Sequence, residues 1–361
     1  MARAIGRRAF VVTGKDKIRH AGAIGDLDGA GLNCTLFGVA GEPTVGMVRE
    51  GAALFRAAGC ELLIAIGGGS VIDAGKAIAA LASNPGDVLD YLEVIGKGQP
   101  LANAPFPTIA VPTTAGTGSE VTRNAVLGSS EHGVKASMRS PTMLPRIAIV
   151  DPQLTVSLPP AMTASTGLDA LTQLIEPYVS SRANPLTDAF CLDGLREVRR
   201  SLARAFANGA DRAARAGMSY ASLLGGLALA NAGLGVVHGF AAPIGGMFDA
   251  PHGAVCAAIL PHGMEANIRA LRARDPESGA LERYRGIAQA LTGDSSANAE
   301  DGIAWVKQLV CELRIPGLAA YGIGVAHVAD IAAKAARASS MKANPVVLTQ
   351  AELMFVMEQS L

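Results

Sequence analysis

The sequence predicts an α/β domain with a parallel sheet, followed by an all-helical domain. Up to Val150, short apolar runs of strand length alternate with segments of helical period. After Asp151-Pro152 the alternation stops, and helical spacing continues through most of the remaining chain. With 361 residues, the chain is long enough for each of two domains to bury its own core.

The first domain is predicted from its strands. The runs rich in β-branched and apolar residues are Ala9–Thr13, Asn33–Val39, Leu62–Ile66, Thr108–Val111 and Ile147–Val150. Segments of helical period lie between several of them, including Thr44–Ala58 and Ser70–Ala82. Strands that are apolar on both faces and joined by helices imply a parallel sheet covered on both sides.

The second domain is predicted from helical periodicity. From about Met162 onward, apolar residues recur at helical spacing, interrupted at proline and glycine pairs such as Pro159-Pro160 and Gly245-Gly246. No strand-like alternation is visible there. We therefore expect domains of residues 1–158 and 159–361.

Composition excludes several function classes. The net charge is zero, so there is no electrostatic footprint for nucleic acid or for a basic membrane-binding face. No apolar stretch approaches the roughly 20 residues of a membrane helix, and the N-terminus does not resemble a signal peptide. The cytoplasm is the expected compartment. The cysteines form no CxxC pair and are expected to be small buried hydrophobes; they are Cys34, Cys60, Cys191, Cys256 and Cys311.

A glycine-rich turn follows the third predicted strand. Leu62–Ile66 runs into Gly67-Gly68-Gly69-Ser70 and a helical segment. Glycines let backbone N–H groups approach a phosphate, and a helix N-terminus adds partial positive charge. Ser70 can cap this helix, with Asp73 completing a capping box. The spacing is not GxGxxG, and a strand–helix turn that merely needs glycine is the alternative.

A second polar turn follows the next strand, over Pro112–Asn124. It carries hydroxyl side chains and small residues that suit a loop folded over a nucleotide; alone it could equally be a serine- and threonine-rich loop. Loops at the carboxyl ends of parallel strands share one edge, where ligands bind. Two such loops on one edge favour a dinucleotide site.

Histidines cluster near residue 250, and an aspartate lies upstream. Asp169 and Gln173 are four apart in a helical segment, so their side chains face the same way. Imidazole nitrogen and carboxylate oxygen suit Fe(II) or Zn(II), which makes His238 and His252 candidate ligands. The position of His262 fits a helix-face or capping residue as well as it fits a ligand.

Several separated motifs, in this order, resemble the iron-containing (group III) alcohol dehydrogenase family. They are GGGSVIDAGKAIA, PTTAGTGSEVT, DP-x-L-T at 151–155, DALT at 169–172, and H-x(13)-H within the run that ends at PHG. The resemblance extends from about residue 9 to Asn344-Pro345. It implies an N-terminal dinucleotide-binding α/β domain and an all-α C-terminal domain, the dehydroquinate synthase-like fold, with the active site in the cleft between them.

The resemblance also implies an activity and its cofactors. The activity is the interconversion of an alcohol with an aldehyde or ketone, using NAD or NADP and an Fe(II) or Zn(II) Lewis acid; the family commonly forms homodimers or larger assemblies. The implied cofactor-binding positions are Gly67, Gly68, Gly69, Ser70, Asp73, Thr113, Thr114, Thr117, Ser119 and Lys135. The implied metal ligands are Asp169, Gln173, His238 and His252. The implied catalytic positions are Asp169, His238, His252 and Lys135. Asn124 and Leu234 are the implied substrate-binding positions.

Three positions depart from the family pattern. Gln173 replaces a histidine ligand, and an amide oxygen is a weaker donor, so we expect a more weakly bound metal. Ala242 stands where many members carry a histidine near the reacting oxygen, so bound water or the substrate must relay the proton. Phe37 stands where many NAD-using members carry an aspartate, so no carboxylate here encodes a preference for NAD over NADP.

Other functions of the same fold stay open at the level of sequence. A maleylacetate-reductase-like enzyme would reduce an unsaturated or keto acid, and Arg123 beside Asn124 could meet its carboxylate or be a surface charge. A dehydroquinate-synthase-like lyase would bind NAD without net redox change. A non-catalytic descendant would bind nucleotide only.

Overall fold

The computed structural model of the protein describes residues 1–16, 21–129 and 131–361. Its contacts divide the chain into an α/β unit and a helical unit. The α/β unit comprises Met1–Thr114 and Ser119–Leu154, and the helical unit comprises Ala115–Gly118 and Thr155–Leu361. The division expected from the sequence lies a few residues further along the chain, after residue 158.

The α/β unit is built on a parallel sheet of strand order β2-β1-β3-β4-β7. Its strands are β1 Arg8–Gly14, β2 Asn33–Val39, β3 Leu62–Gly67, β4 Thr108–Pro112 and β7 Ile147–Ala148. Every residue of β3 is buried, as expected for a central strand covered on both faces. All of the predicted strands are present, and only the last is shorter than the sequence indicated.

Helices cover this sheet and an additional hairpin extends the unit. The helices are α1 Ala21–Gly29, α2 Val45–Ala57, α3 Gly69–Ser83 and α4 Val88–Tyr91, and the hairpin strands are β5 Asn124–Ser129 and β6 Val134–Arg139. The hairpin is antiparallel, with Asn124 opposite Arg139. The sequence analysis did not predict it, because its alternation of buried and half-buried residues is short and contains glycine, serine and charged residues.

The helical unit contains α-helices and short 3₁₀ turns, and no strand among its described residues, which confirms the all-α prediction. Its helices are α5 Pro160–Val179, α6 Pro185–Ala207, α7 Arg212–Ala232, α8 Val236–Met247, α9 His252–Arg274, α10 Gly279–Thr292, α11 Ala299–Glu312, α12 Val328–Ala335 and α13 Gln350–Gln359. One apolar core, which includes Leu168, Phe240 and Val255, connects α5, α8 and α9.

Taken one at a time, none of the described helices is long and apolar enough to cross a bilayer. The adjoining pair α7 and α8 reaches the threshold together, but with a bend of 98° between the two helices.

Candidate metal and nucleotide sites

One face of α5 carries a row of buried polar side chains. Asp169, Gln173 and Glu176 are spaced four and three residues apart, so successive turns place them on the same side of the helix. All three are at least nine-tenths buried. The Gln173 amide donates from Nε2 to Asp169 Oδ2 at 3.1 Å, which fixes the carboxylate.

The start of α8 is joined to this row through Glu176. Glu176 Oε1 accepts from the backbone N–H of Val237 at 2.6 Å, and its Oε2 accepts from His238 Nδ1 at 2.7 Å. Because a carboxylate can only accept, Nδ1 carries a proton, and Nε2 is the nitrogen that would bind a cation once it is deprotonated. Gly235, which caps α8, is required here, since a Cβ would lie 2.8 Å from Asn344 Oδ1 and 3.0 Å from Glu176 Oε1.

The start of α9 supplies the remaining members. His252 is its first residue, and Cys256 follows one helical turn later on the same face. Gly253 allows α9 to approach α5 closely, because a Cβ there would lie 2.3 Å from the backbone oxygen of Ser165. Cys256 is fully buried, whereas the His252 side chain is 37% exposed.

These elements bring one oxygen, two nitrogens and one sulfur together. Potential ligand atoms of Asp169, His238, His252 and Cys256 all lie within 4.8 Å of one another. Asp169 Oδ1 is 3.4 Å from His238 Nε2 and 3.7 Å from His252 Nε2, and Cys256 Sγ is 3.7 Å from His252 Nε2.

Several atoms of this cluster are buried without a hydrogen-bond partner. They are Asp169 Oδ1, Gln173 Oε1 and His238 Nε2. Leaving a buried polar atom unpaired costs about 1–3 kcal/mol, so three in one place need an explanation. A cation that accepts lone pairs from Asp169 Oδ1 and His238 Nε2 provides one for two of them, and these residues therefore fit a divalent metal.

The charges of the cluster stabilise one another. Burial works against the charged form of Asp169, yet His252 and His238 hold the pKa of its carboxyl below the usual value. The same imidazoles outweigh burial at Cys256 and lower the pKa of its thiol. Cys256 is the main cause that raises the pKa of His252 to about 9. Burial opposes protonation of His238, but Cys256 and Asp169 raise its pKa well above the ordinary value. The cluster thus stabilises anionic donors.

The structure brings the four sequence-predicted ligands onto adjoining helices, and it adds two residues that the sequence analysis missed. Glu176 could have been found from its spacing after Asp169 and Gln173 on one helix face. Cys256 could have been found as a potential ligand from its spacing after His252. From its sequence context alone it was expected to be only a small buried hydrophobe. His262 lies further along α9, in the interior of that helix.

The glycine-rich turn occupies the carboxyl end of β3. Gly68 is the N-cap of α3, and this helix begins at Gly69. The expected capping by Ser70 is wrong, because Ser70 already lies inside the helix and no side chain caps it. Gly68 adjoins the second loop, since a Cβ there would lie 3.1 Å from Thr114 Cγ2. The Thr113 N–H donates to the Gly67 oxygen at 2.9 Å, so both loops lie at one sheet edge.

The Asp73 carboxylate holds the second loop through a buried ion pair. Asp73 Oδ1 accepts from the Ser119 hydroxyl and lies 2.9 Å from Lys76 Nζ, and its Oδ2 accepts from the Val126 N–H at 2.9 Å. Lys76 Nζ also donates to the Ser119 oxygen at 2.9 Å and to Thr122 Oγ1 at 3.0 Å. Burial lowers the pKa of Lys76. Asp73 therefore contacts protein groups that shape the loop.

The middle of the second loop belongs to the helical unit. Ala115–Gly118 includes Thr117, and both of its glycines are close to helical backbone. A Cβ on Gly116 would lie 2.8 Å from the Thr166 oxygen, and one on Gly118 would lie 2.4 Å from Gly226 Cα. Gly118 also has a φ of +58°, which favours glycine.

The other predicted positions lie on separate elements. Lys135 is on β6, with its Nζ 3.4 Å from Glu42 Oε2, and Asn124 begins β5. Leu234 is half-buried between α7 and α8. Phe37 is buried in the α/β core, with its ring centroid 5.8 Å from that of Phe10.

Comparisons with known proteins agree with this architecture. Residues 1–152 match the family of iron-containing alcohol dehydrogenases, and residues 163–361 match the C-terminal part of the same family. The chain is 40% identical over 323 residues to 1,3-propanediol dehydrogenase of Klebsiella pneumoniae, covering 86% of this chain and 80% of that protein.

Two solved structures are similar over nearly the whole chain. A 1,3-propanediol oxidoreductase superposes with a TM-score of 0.91 at 35% identity, covering 98% of this chain and 92% of that one. Sulfoacetaldehyde reductase from Bifidobacterium kashiwanohense, solved in complex with NAD+, superposes with a TM-score of 0.86 at 30% identity, covering 99% and 92%. The fold, the buried donor cluster and the relatives agree: this chain is an enzyme of the iron-containing alcohol dehydrogenase family.

Proposed function

We propose that the enzyme interconverts a small alcohol and its aldehyde or ketone, with NAD or NADP as the hydride carrier and a divalent metal in the helical unit. The overall reaction is an alcohol plus NAD(P)+ giving a carbonyl compound, NAD(P)H and a proton. Support for the nucleotide comes from the paired loops at one sheet edge and from the NAD+ complex of a relative.

The observation that carries the proposal is the set of unpartnered buried atoms between α5 and α8. Asp169 Oδ1 and His238 Nε2 are buried, 3.4 Å apart, and lack hydrogen-bond partners. Unpaired buried polar atoms are costly, and here a carboxylate oxygen and an imidazole nitrogen lie side by side. When bound here, a cation such as Zn(II) or Fe(II) supplies Lewis-acid polarisation of the substrate oxygen.

The residues of the site have separable tasks. Asp169, His238 and His252 would hold the metal; Gln173, the fourth predicted position, holds Asp169 in place through its amide N–H. Glu176 holds the proton on His238 Nδ1 and so keeps Nε2 available. His252, being partly exposed, marks the side of the cluster that is open to solvent.

The nucleotide would be held by the α/β unit. The N-terminal turn of α3, from Gly68 to Ser70, presents backbone N–H groups and the positive end of the helix to a phosphate. Thr113 and Thr114 lie beside it and offer hydroxyl groups. Four further cofactor or substrate contacts stay predictions; they are Lys135, Thr117, Asn124 and Leu234.

The relatives indicate the class of substrate, and the helical unit indicates how the proton is transferred. The names of the relatives favour short alcohols, diols and small aldehydes as first candidates. Ala242 is exposed, one turn after His238, and its methyl group cannot move a proton. Water or a polar group of the substrate takes that task, and slower turnover on simple alcohols is expected, since a positioned side chain is typically worth about 10²–10⁴-fold.

The test is an assay of the metal-free enzyme with added Zn(II), added Fe(II) or chelator. Short alcohols, diols, aldehydes and keto acids would each be offered with both nicotinamide cofactors, and Asp169→Asn would serve as the matched variant. We expect metal-dependent turnover of an alcohol or aldehyde that Asp169→Asn loses. Turnover that persists under chelation, or that is confined to keto acids, would instead indicate the maleylacetate-reductase-like alternative.

Cofactor preference, assembly and compartment are further parts of the proposal. Phe37 places an aromatic ring rather than a carboxylate on β2, so we propose that both NAD and NADP are accepted. A pair of KM measurements tests this. The homodimer or larger assembly implied by the family, and the cytoplasmic location, stay predictions.

A further inference from the structure

Cys256 is the one member of the donor cluster to which neither the motifs nor the proposed reaction gives a task. We propose that its Sγ is a ligand of the metal, in the place where the family resemblance implies the histidine that Gln173 replaces. The ligand set is then one carboxylate, two imidazoles and one thiolate. This inference rests on the proposed function, because it concerns the same metal.

The known distances between the donor atoms are close to those around a tetrahedral metal, and the remaining ones are within 4.8 Å. Zn–N and Zn–O bonds near 2.0–2.1 Å and a Zn–S bond near 2.3 Å give ligand-to-ligand distances of roughly 3.3–3.6 Å. The separations between Asp169 Oδ1 and the two imidazole nitrogens are 3.4 and 3.7 Å, and the separation between Cys256 Sγ and His252 Nε2 is 3.7 Å. The thiol therefore lies within reach of an ion that the other three residues would hold.

The hydrogen bond of Gln173 gives the amide a different task. The Asp169 carboxylate can only accept, so the Gln173 amide must turn its Nε2 toward Asp169 Oδ2, at 3.1 Å. This bond leaves Asp169 Oδ1 directed at the imidazoles and makes Gln173 a positioning residue. An amide oxygen is also a neutral, hard donor, whereas a thiolate is anionic and soft, and zinc binds thiolates well.

The helix geometry keeps Cys256 in the cluster. His252 and Cys256 are four residues apart at the start of α9, so both side chains project from one face. Gly253 fixes α9 against the backbone of α5, which carries Asp169. Cys256 is fully buried, and Asp169 and His238 are more than nine-tenths buried, so the sulfur is shielded from solvent.

Thiolate ligation changes the chemistry of the site. Zn(II) binding would form a Zn–S bond and release the thiol proton to solvent, together with the protons that the two imidazoles carry at their metal-binding nitrogens. Two anionic ligands, Asp169 and Cys256, then balance the two positive charges of the ion. A soft ligand favours Zn(II) and Co(II) over hard ions such as Mg(II) and Mn(II). The substrate oxygen can still add, because catalytic zinc can become five-coordinate.

The first test is X-ray absorption of the full-length enzyme loaded with Zn(II), and near-ultraviolet absorption of the Co(II)-loaded enzyme. We expect one sulfur at about 2.3 Å beside nitrogen and oxygen at about 2.0–2.1 Å, and a thiolate-to-cobalt charge-transfer band. Bound zinc with nitrogen and oxygen neighbours only would overturn the assignment of Cys256 and leave the metal-assisted function standing. Failure of the enzyme to bind zinc, cobalt or iron would overturn both the assignment of Cys256 and the metal-assisted function.

The second test uses variants, each checked for folding by circular dichroism. Cys256→Ser and Cys256→Ala should lose the sulfur signal and weaken zinc binding by at least the roughly 10–100-fold seen when a ligand's hydrogen-bond partner is removed. Cys191→Ala, which also truncates a fully buried cysteine of the helical unit, should retain the sulfur signal and the wild-type zinc affinity. Adding Gln173→His to Cys256→Ala should restore affinity without sulfur. Wild-type zinc affinity in both Cys256 variants would contradict the proposal.

Discussion

Glu176 determines which atom of His238 faces the donor cluster. Its two carboxylate oxygens are both used, one by the Val237 N–H at 2.6 Å and the other by His238 Nδ1 at 2.7 Å. The first bond satisfies an N-terminal donor of α8, and the second fixes the imidazole tautomer. One side chain therefore stabilises the start of a helix and orients a ligand carried by that helix.

Replacing Glu176 by glutamine separates these tasks. Val237 and His238 donate to different oxygens of Glu176, and a glutamine keeps only one of these oxygens, so its amide nitrogen would face one of the two donors. We expect zinc affinity to fall by roughly 10–100-fold, the usual cost of losing the partner of a metal-binding histidine. Titration of the zinc-loaded enzyme with a competing chelator measures it. Glu282→Gln, at a side chain that is 65% exposed, is the matched control, and equal affinities in the two variants would refute the role of Glu176.

At the scale of residues, the sequence predicted the donors that occur in motifs and missed those that depend on packing. Asp169, His238 and His252 could be named because a histidine pair and a carboxylate on apolar segments are unusual. Glu176 and Cys256 come next to the other donors only when α8 and α9 pack on α5. The sequence offered their helical spacing, but no way to know which helix faces meet.

At the scale of elements, the N-terminal turn of α3 links the two loops of the proposed nucleotide site. Gly68 precedes α3 and is in close contact with Thr114, while Asp73 and Lys76 from the same helix hold Ser119. A single helix thus fixes both loops at the edge of the sheet.

Gly68→Ala tests this arrangement. The added methyl would lie 3.1 Å from Thr114 Cγ2, so it must displace Thr114 or occupy the space that a phosphate needs. The backbone of Gly68 has a φ of −74°, so alanine introduces no backbone strain there. We expect the Kd for NAD(P) to rise about tenfold, a loss of about 1.4 kcal/mol, with the fold intact.

Isothermal titration with NAD and NADP measures the effect. Gly22→Ala on α1 is the control, because a Cβ there meets nothing within 4 Å. Unchanged nucleotide affinity in Gly68→Ala would remove this turn from the proposed site.

The elements differed in how well the sequence predicted them. Strand β2 was predicted with its observed ends, because its apolar residues are bounded by glycine on one side and by Gly41-Glu42-Pro43 on the other. The hairpin of β5 and β6 was missed, because its pairing supplies the stability that its polar residues do not signal. The cap at Gly68 was assigned to Ser70, since a serine before a helix is the commoner cap.

At the scale of the whole chain, the two chemistries belong to different units. The donor cluster lies entirely on α5, α8 and α9, and the glycine turn and Asp73 lie in the α/β unit. The change of periodicity after Asp151-Pro152 made this division visible in the sequence. Ala115–Gly118 was the exception, because its membership in the helical unit depends on glycine contacts with helical backbone.

This distribution predicts that zinc stabilises the helical unit. The cluster connects three helices of one core, so a bound ion is lost when that core unfolds. A ligand at about 100 times its Kd adds about 2.7 kcal/mol to the free energy of unfolding. For a unit of this size, that raises the midpoint of thermal unfolding by roughly 5–10 °C. Trp305, the single tryptophan of the chain, lies on α11 and packs against the helical core, so its fluorescence reports this transition.

The measurement is thermal unfolding followed by Trp305 fluorescence, with added zinc or with chelator. Asp169→Asn removes the anionic oxygen ligand with little change in shape, and it should unfold at the same temperature under both conditions. Magnesium at the same concentration should leave the wild-type midpoint unchanged, because the cluster offers nitrogen and sulfur rather than a set of oxygens. A zinc-induced rise of equal size in Asp169→Asn would mean that the stabilising ion binds outside this cluster.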